Sequence, residues 1–351
     1  MADDERVLVT GATGFIGTRL VQALTERGLC VRALARRGRP EPPPGFAVEG
    51  RGPLDHERVE LTTGDLGDRE SLARAAEGCS QVYHLAGYAK NWAPSRQVYY
   101  DLNVQGTLNV LAAAQRAGAR RIVWTSSQMT SGPSPPGQVA NEETSRLSDR
   151  YFTDYEATKH AAEKLAVQAA QERGVPVVIV NPTRVYGPGH LTEGNSVTRL
   201  LDQYDRGLVP ILPNLGRNAG NWVLVDDVVD GLIRAMERGR IGQKYILGGE
   251  NATLKEFFRT IDRVTGRRHV QIPLFRGVPL LFAHVEQKLA DWFGVYPKVT
   301  PGWVRMFFCE WPCTSEKAER ELGYQHTSLE DGIRRTYQWL VRVRKESLRN
   351  P

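Results

Sequence analysis

The chain of 351 residues is 41% apolar and 25% charged, an ordinary soluble composition long enough for one large core or two unequal lobes. No apolar stretch reaches the roughly 18 residues of a membrane span, MADDERVLVT carries acids where a secretory signal carries bases, and four scattered cysteines suit reduced thiols, so a cytoplasmic protein without stable membrane insertion is expected. The net charge of +6 gathers in ALARRGRP (33–40) and near the C-terminus, without the interleaved exposed aromatics or reader motif that would make a nucleic-acid face.

Taken in chain order, short apolar runs alternate with helical patterns. ERVLVTG reads as a strand and TRLVQALTERG as a helix ending at Gly28. LCVRALAR is a second strand, and the Pro- and Gly-rich stretch 38–53 after it is not helical. VELTTGDL, QVYHLAG, RRIVWTSS and VPVVIVNP are further strands. ESLARAAEGC, DLNVQGTLNVLAAAQRAGA and TDYEATKHAAEKLAVQAAQERG are the helices between them. This alternation implies crossover units and a parallel sheet with helices on both faces, an α/β class. VYGPGHLTEGNSV is loop-like, NWVLVDDVVDGLIRAMERG is a strand then a helix, and QKYILGG is another strand. Residues 251–351 are mainly helical, with turns at Pro273, Pro297, Pro301 and Pro312. The division expected is a nucleotide-binding domain over 1–182 with returning segments near 223–250, and a smaller substrate lobe from 183–222 and 251–351.

Gly11, Gly14 and Gly17 stand three apart between the strand VLVT and the helix FIGTRLVQAL. Glycine tolerates unusual backbone angles and lets a ligand approach. The helix start offers free N–H groups to a pyrophosphate, and the last glycine lets helix and strand pack closely. The residues suit a dinucleotide; a purely structural turn is the other reading. The second strand ends at Arg36-Arg37, where an NAD site usually carries an acid, so NADP(H) is favoured over NAD(H). Asp65 is placed to meet an adenine edge, or to cap the helix that follows.

Tyr155 and Lys159, in YEATK, share one helix face. A nearby ammonium would favour the phenolate of a tyrosine whose ordinary pKa is near 10. Ser127, at a strand end in WTSSQ, can hydrogen-bond a reacting oxygen, so the three make a proton donor or acceptor beside a hydride carrier. Cys309 and Cys313 are four apart, but no second pair and no nearby His completes a zinc set, so no metal is expected.

The series TGATGFIG, GDL (64–66), HLAG (84–87), NVQGTLNVL (103–111), TSS (125–127), YEATK, NPTRVYGPG (181–189) and VLVDDVVDG (223–231) resembles the extended branch of the short-chain dehydrogenase/reductase superfamily, the NAD-dependent epimerase/dehydratase group, over roughly residues 5–340. The resemblance implies a doubly wound Rossmann sheet with a smaller, mostly helical C-terminal substrate lobe. It implies Ser127, Tyr155 and Lys159 as the catalytic triad, with Tyr155 the acid/base and Lys159 also holding the nicotinamide ribose. It places Thr13, Phe15 and Ile16 of the glycine turn, Leu66, Leu85, Ala86, Gly87, Asn103, Thr125, Pro182 and Val185 along the cofactor. Lys90, Gln128 and Tyr186, with Ser127 and Tyr155, are the substrate residues it implies. The helices near 101–117 and 154–173 resemble the pair that builds a dimer interface in this family, so a homodimer is expected.

Sugar-nucleotide members of the family usually carry an Arg before the VDD segment. In NLGRNAGNWVLVDD, Asn221 and Trp222 stand near that place and Arg217 is offset, so a diphosphate would lose charge-assisted bonds. Aromatics in YAKNWAPSRQVYY, with Tyr186, Trp303, Phe307 and Trp311, suit a flat or apolar substrate, or simply fill the core of the small lobe. HLAGYAKNWAP and KYILGGEN also look like hopanoid-associated sugar epimerase homologues. The preferred reaction is hydride transfer between NADPH and a carbonyl or secondary alcohol, as in dihydroflavonol reductase-like and 3β-hydroxysteroid dehydrogenase-like members. Epimerisation or dehydration of a nucleotide sugar is the alternative, and a non-enzymatic cofactor-binding sensor a third. Residues 274–295 read as a helix that caps the substrate lobe, with membrane contact as the other reading.

Overall fold

The computed structural model describes residues 6–38, 41, 42, 44–46, 52–209 and 211–349. The acidic start of the chain and parts of the stretches 33–40 and 38–53 lie outside the described residues.

The strands are β1 (Arg6–Thr10), β2 (Cys30–Ala35), β3 (Val59–Thr63), β4 (Gln81–His84), β5 (Arg121–Thr125), β6 (Val177–Pro182), β7 (Arg184–Tyr186), β8 (Ile211–Pro213), β9 (Ala219–Leu224), β10 (Lys244–Leu247), β11 (Glu250–Thr253) and β12 (Ile272–Leu274). Seven of them form one parallel sheet in the order β10-β6-β5-β4-β1-β2-β3. Such a sheet is covered on both faces, so its strands are continuously apolar; all six residues of β6 are buried. The helices are α1 (Phe15–Glu26), α2 (Arg69–Ala76), α3 (Arg96–Tyr99), α4 (Gly106–Arg116), α5 (Asp154–Arg173), α6 (Ser196–Asp205), α7 (Val225–Arg238), α8 (Leu254–Thr265), α9 (Gly277–Phe293), α10 (Pro301–Met306), α11 (Glu316–Leu322) and α12 (Leu329–Arg349).

Alternation along β1 sorts the two faces. Val7 and Val9 join the core built with α1 and α7, and Leu8 joins the one built with α2, α4 and α5. Strand order reverses between β1 and β4, and a crevice opens there at the carboxyl ends of the strands. The long helix expected from 101 begins at Arg96, because Ser95 caps it by accepting from the Gln97 N–H, and it passes through a π-helical turn at Tyr100–Gln105 before α4. Thr153 caps α5, and Gly174, in the left-handed region, ends it.

The segment 223–250 returns to the main sheet only in part. α7 packs on the face that carries α1 and β10 becomes an edge strand, but β9 belongs to a separate three-stranded sheet, β11-β9-β7. That sheet backs a third core, in which Trp222 of β9 stacks on Phe257 of α8 at 4.2 Å and Tyr204 of α6 on Phe258 at 4.0 Å.

Candidate active site

The turn after β1 is built for close approach. Gly11 has a positive φ, and a Cβ there would stand 2.6 Å from the Ala86 nitrogen. A Cβ on Gly17 would fall 2.0 Å from the Gly11 carbonyl oxygen. Gly14 is the N-cap of α1, and the first turn holds neither a side-chain cap nor an acid. The first N–H groups of α1 therefore face a cavity of about 470 Å³ at the ends of β1, β4, β5 and β6. The cradle fits the pyrophosphate of a dinucleotide.

Of the residues expected along a cofactor, Gly11, Gly14, Phe15, Ile16, Gly17, Leu85, Gly87, Thr125, Pro182 and Val185 line this cavity. Ala86 does not; its N–H donates to Thr10 Oγ1 beneath the turn. Thr13 is partly exposed off the wall. Asn103 is buried and acts at one remove, accepting from the Tyr88 N–H at 2.7 Å and donating to the Tyr88 carbonyl and to Thr158 Oγ1, so it pins the loop after β4 to α5. Asp65 is exposed and accepts from the Gly67 N–H, while Asp68 caps α2. Leu66 is buried in the sheet core. Arg36 and Arg37 stand exposed just beyond β2.

Ser127, Tyr155 and Lys159 meet on the opposite wall. Lys159 is buried, donates to the Thr125 carbonyl at 2.7 Å and sits over the Trp124 ring. Burial, only partly offset by Glu163, pushes its pKa down to about 7. Burial pushes the Tyr155 phenol up, with the Ser127 hydroxyl acting in the opposite direction. His84, enclosed between Thr10 and Thr107, is pushed down to about 3, first by burial and then by Lys159.

Behind the pair lies a polar knot. The Glu163 carboxylate accepts from Ser126 Oγ at 2.8 Å, Thr130 Oγ1 at 3.0 Å and Asn181 Nδ2 at 2.8 Å, and pairs with Lys244. Glu163 follows Lys159 by one helical turn, a spacing visible in the sequence. Thr125 Oγ1, on the cavity wall, is buried without a hydrogen-bond partner among the described residues.

Two of the expected substrate residues lie elsewhere. Tyr186 is buried in the third core, edge-on to Phe257, because it faces the opposite side of β7 from Val185. Gln128 is buried in a short turn, and Met129 lines the cavity in its place. Lys90 is exposed at the rim, over the rings of Tyr88 and Tyr296. Trp303 and Phe307 do line the cavity, edge-to-face at 4.7 Å, whereas Trp311 is buried and donates to the Met306 carbonyl.

Asn221 and Arg217 do not face the cavity. Asn221 joins Thr183, Gly249 and Asn251, and Arg217 is exposed. A guanidinium nevertheless stands in the cavity. Arg184 of β7 pairs in register with Trp222 of β9, and its guanidinium lies 5.0 Å from the Trp222 ring and 5.7 Å from that of Phe307. No hydrogen-bond or ion-pair partner for it occurs among the described residues, and burial pushes its pKa down to about 10. Among the described residues no group of three or more His, Cys, Asp or Glu is placed to hold a metal.

Residues 7–248 match the family model of the NAD dependent epimerase/dehydratase family. The chain is 34% identical to a putative dihydroflavonol 4-reductase of Synechocystis sp. over 94% of this chain and 93% of that protein. It is also 34% identical to sterol demethylase protein B of Methylococcus capsulatus, over 92% and 94%. The solved structure of gox2253 is 32% identical and superposes with a TM-score of 0.79, covering 97% of this chain and 98% of that one.

Proposed function

The chain belongs to the NAD-dependent epimerase/dehydratase family, and from that premise we propose that it uses NADPH to reduce a carbonyl on a flat or apolar small molecule, or runs the reverse oxidation. It is an NAD(P)-dependent oxidoreductase. The observation that carries the finer reading is the convergence on one cavity of the open glycine turn, the Ser127–Tyr155–Lys159 set and a far wall of Trp222, Trp303 and Phe307.

The start of α1 would hold the cofactor pyrophosphate, Asp65 the adenine edge, and Arg36 with Arg37 the 2′-phosphate; Lys159 would hold the ribose, and Pro182 and Val185 would contact the ring. The nicotinamide, when bound, supplies or accepts the hydride. In reduction Tyr155 gives its phenolic proton to the carbonyl oxygen. Ser127 donates a hydrogen bond to the same oxygen and fixes it beside Tyr155. The aromatic wall excludes water from the reacting centre. Residues 1–182, with parts of 223–250, form the cofactor domain of a homodimer in the cytoplasm, and the remaining segments form the substrate lobe.

A second reading draws on Arg184. A guanidinium in the cavity with no hydrogen-bond or ion-pair partner among the described residues favours an anionic substrate, and a nucleotide-sugar diphosphate is one. The deciding experiment follows loss of NADPH absorbance against ketones and aldehydes, beside a panel of nucleotide sugars. Carbonyl-dependent oxidation that falls about 10²- to 10⁴-fold in Tyr155→Phe, with NADPH affinity unchanged, supports the reductase. Inert carbonyls together with conversion of a nucleotide sugar refute it.

A further inference from the structure

One helix keeps its apolar face on the outside. α9 rests on the protein through Ala283 and Ala290, both fully buried. Val278, Leu281, Phe282, Val285, Leu289, Trp292 and Phe293 point the other way, between 43% (Leu289) and 73% (Trp292) exposed. At 100° per residue these seven fall within an arc of about 120°, with no charged residue among them. Val270, Ile272 and Phe275 before the helix and Val295 after it extend the patch and are also exposed. Contiguous apolar surface of this kind marks an interaction face.

The charge around the patch selects the occupant. Residues 266–298 hold five basic side chains, Arg267, Arg268, Arg276, Lys288 and Lys298, against two acids; Arg267 is paired with Asp205, which leaves four against the two. Both acids are engaged: Glu286 accepts from the Lys298 N–H, and Asp291 from Gln287 and Trp92. Arg276, Lys288 and Lys298 are exposed, and long basic side chains beside an apolar face suit an anionic lipid surface. No helix among the described residues is long and apolar enough to cross a membrane, so the helix would lie in the interface.

We propose that α9 is an interfacial docking helix that seats the protein on an anionic lipid bilayer. The inner side of the same helix contributes Gln287 and Asp291 to a cleft shared with Asn91 and Thr153, which also line the reaction cavity. Docking therefore sets the cavity beside the membrane, where an apolar substrate concentrates. The docking claim is independent of the reaction assigned above.

The test is co-sedimentation of the full chain with phosphatidylcholine vesicles, with and without phosphatidylserine, together with sedimentation velocity in their absence. Expected is binding to the phosphatidylserine vesicles that weakens with salt, and that drops at least about tenfold in Leu281→Glu/Trp292→Glu. Both side chains are mostly exposed, so the double variant keeps its fold and its NADPH affinity. Arg276→Glu/Lys288→Glu should lose the lipid-charge dependence. Three outcomes overturn the proposal: no vesicle binding, undiminished binding by the double variant, or an oligomer of the parent that the double variant splits, which makes the patch a contact between copies of this chain.

Discussion

Lys159→Met gives the sharpest check, because it separates the needs of chemistry from the needs of folding. Burial lowers Lys159 from 10.5 to about 7. Below pH 7 the lysine is charged in both the folded and unfolded chains, and the fold bears the whole cost of burying that charge. Between pH 7 and 10.5 the unfolded chain holds the extra proton, so this contribution to stability rises with pH across that window. A shift of this size corresponds to about 4 to 5 kcal/mol at the acid end, at about 1.4 kcal/mol per unit. Methionine removes the charge but leaves the Thr125 carbonyl without its donor, a loss of about 1 to 3 kcal/mol. The cofactor-free variant should be more stable than the parent by about 2 kcal/mol near pH 6, and less stable by about 1 kcal/mol near pH 10. His84, pushed down to about 3, stays neutral across that range in the folded chain. Urea unfolding at the two pH values reads the difference directly. A variant less stable at both ends, or a difference that does not change with pH, would refute the buried-ammonium account.

Gly17→Ala should cost about 3 kcal/mol or more and weaken NADPH binding with it, since the new Cβ meets a backbone oxygen that cannot move away without shifting α1; unchanged urea midpoints would sink this. Arg36→Glu should reduce NADPH affinity about 10- to 100-fold and leave NADH affinity largely intact, as read by fluorescence titration, the loss of one charge-assisted phosphate contact; equal effects on both cofactors would remove Arg36 from the 2′-phosphate. Arg184→Met should keep the KM for neutral ketones within about threefold and weaken inhibition by an aromatic carboxylate such as 2-naphthoate about tenfold. The opposite pattern would make Arg184 a packing residue of the aromatic wall.

What was legible in the sequence was local. The glycine turn, the apolar strands and the Tyr155–Lys159 spacing each depend on residues within a few positions of one another, and each stands where expected. The misplacements are all matters of facing or of long-range register. Tyr186 and Val185 are neighbours in one motif, yet strand alternation sends one to the third core and the other to the cavity. Met129 rather than Gln128 lines the cavity because a short turn after β5 rotates the chain. Arg184 escaped notice because its place is set by pairing with Trp222, 38 residues away, and by Phe307, further still. Asn103 fell in a recognisable motif, but its partners, Tyr88 and Thr158, lie on separate elements.

The composition of α5 explains how one helix holds Tyr155 and Lys159 at the cavity and still packs. Its buried residues are Glu156, Lys159 and Glu163 interleaved with Ala162, then Ala166 and Ala169. The first half turns a charged face inward: the two carboxylates are met by partners, while Lys159 has the Thr125 carbonyl and the Trp124 ring. Glu156 pairs with Arg146 at 2.8 Å and accepts from the Phe152 N–H, while Arg146 also donates to the Met129 and Thr130 carbonyls, which ties the turn behind Ser127 to the helix. Glu163 binds Asn181, Ser126 and Thr130, fixing the end of β6 and the chain just after β5. The second half is alanine, which lets α5 lie close to α4 over the sheet core. Polar groups that would be expensive to bury alone are thus held by partners on three other elements. The alanine half keeps them in register, so Tyr155 and Lys159 are positioned by contacts behind the cavity wall.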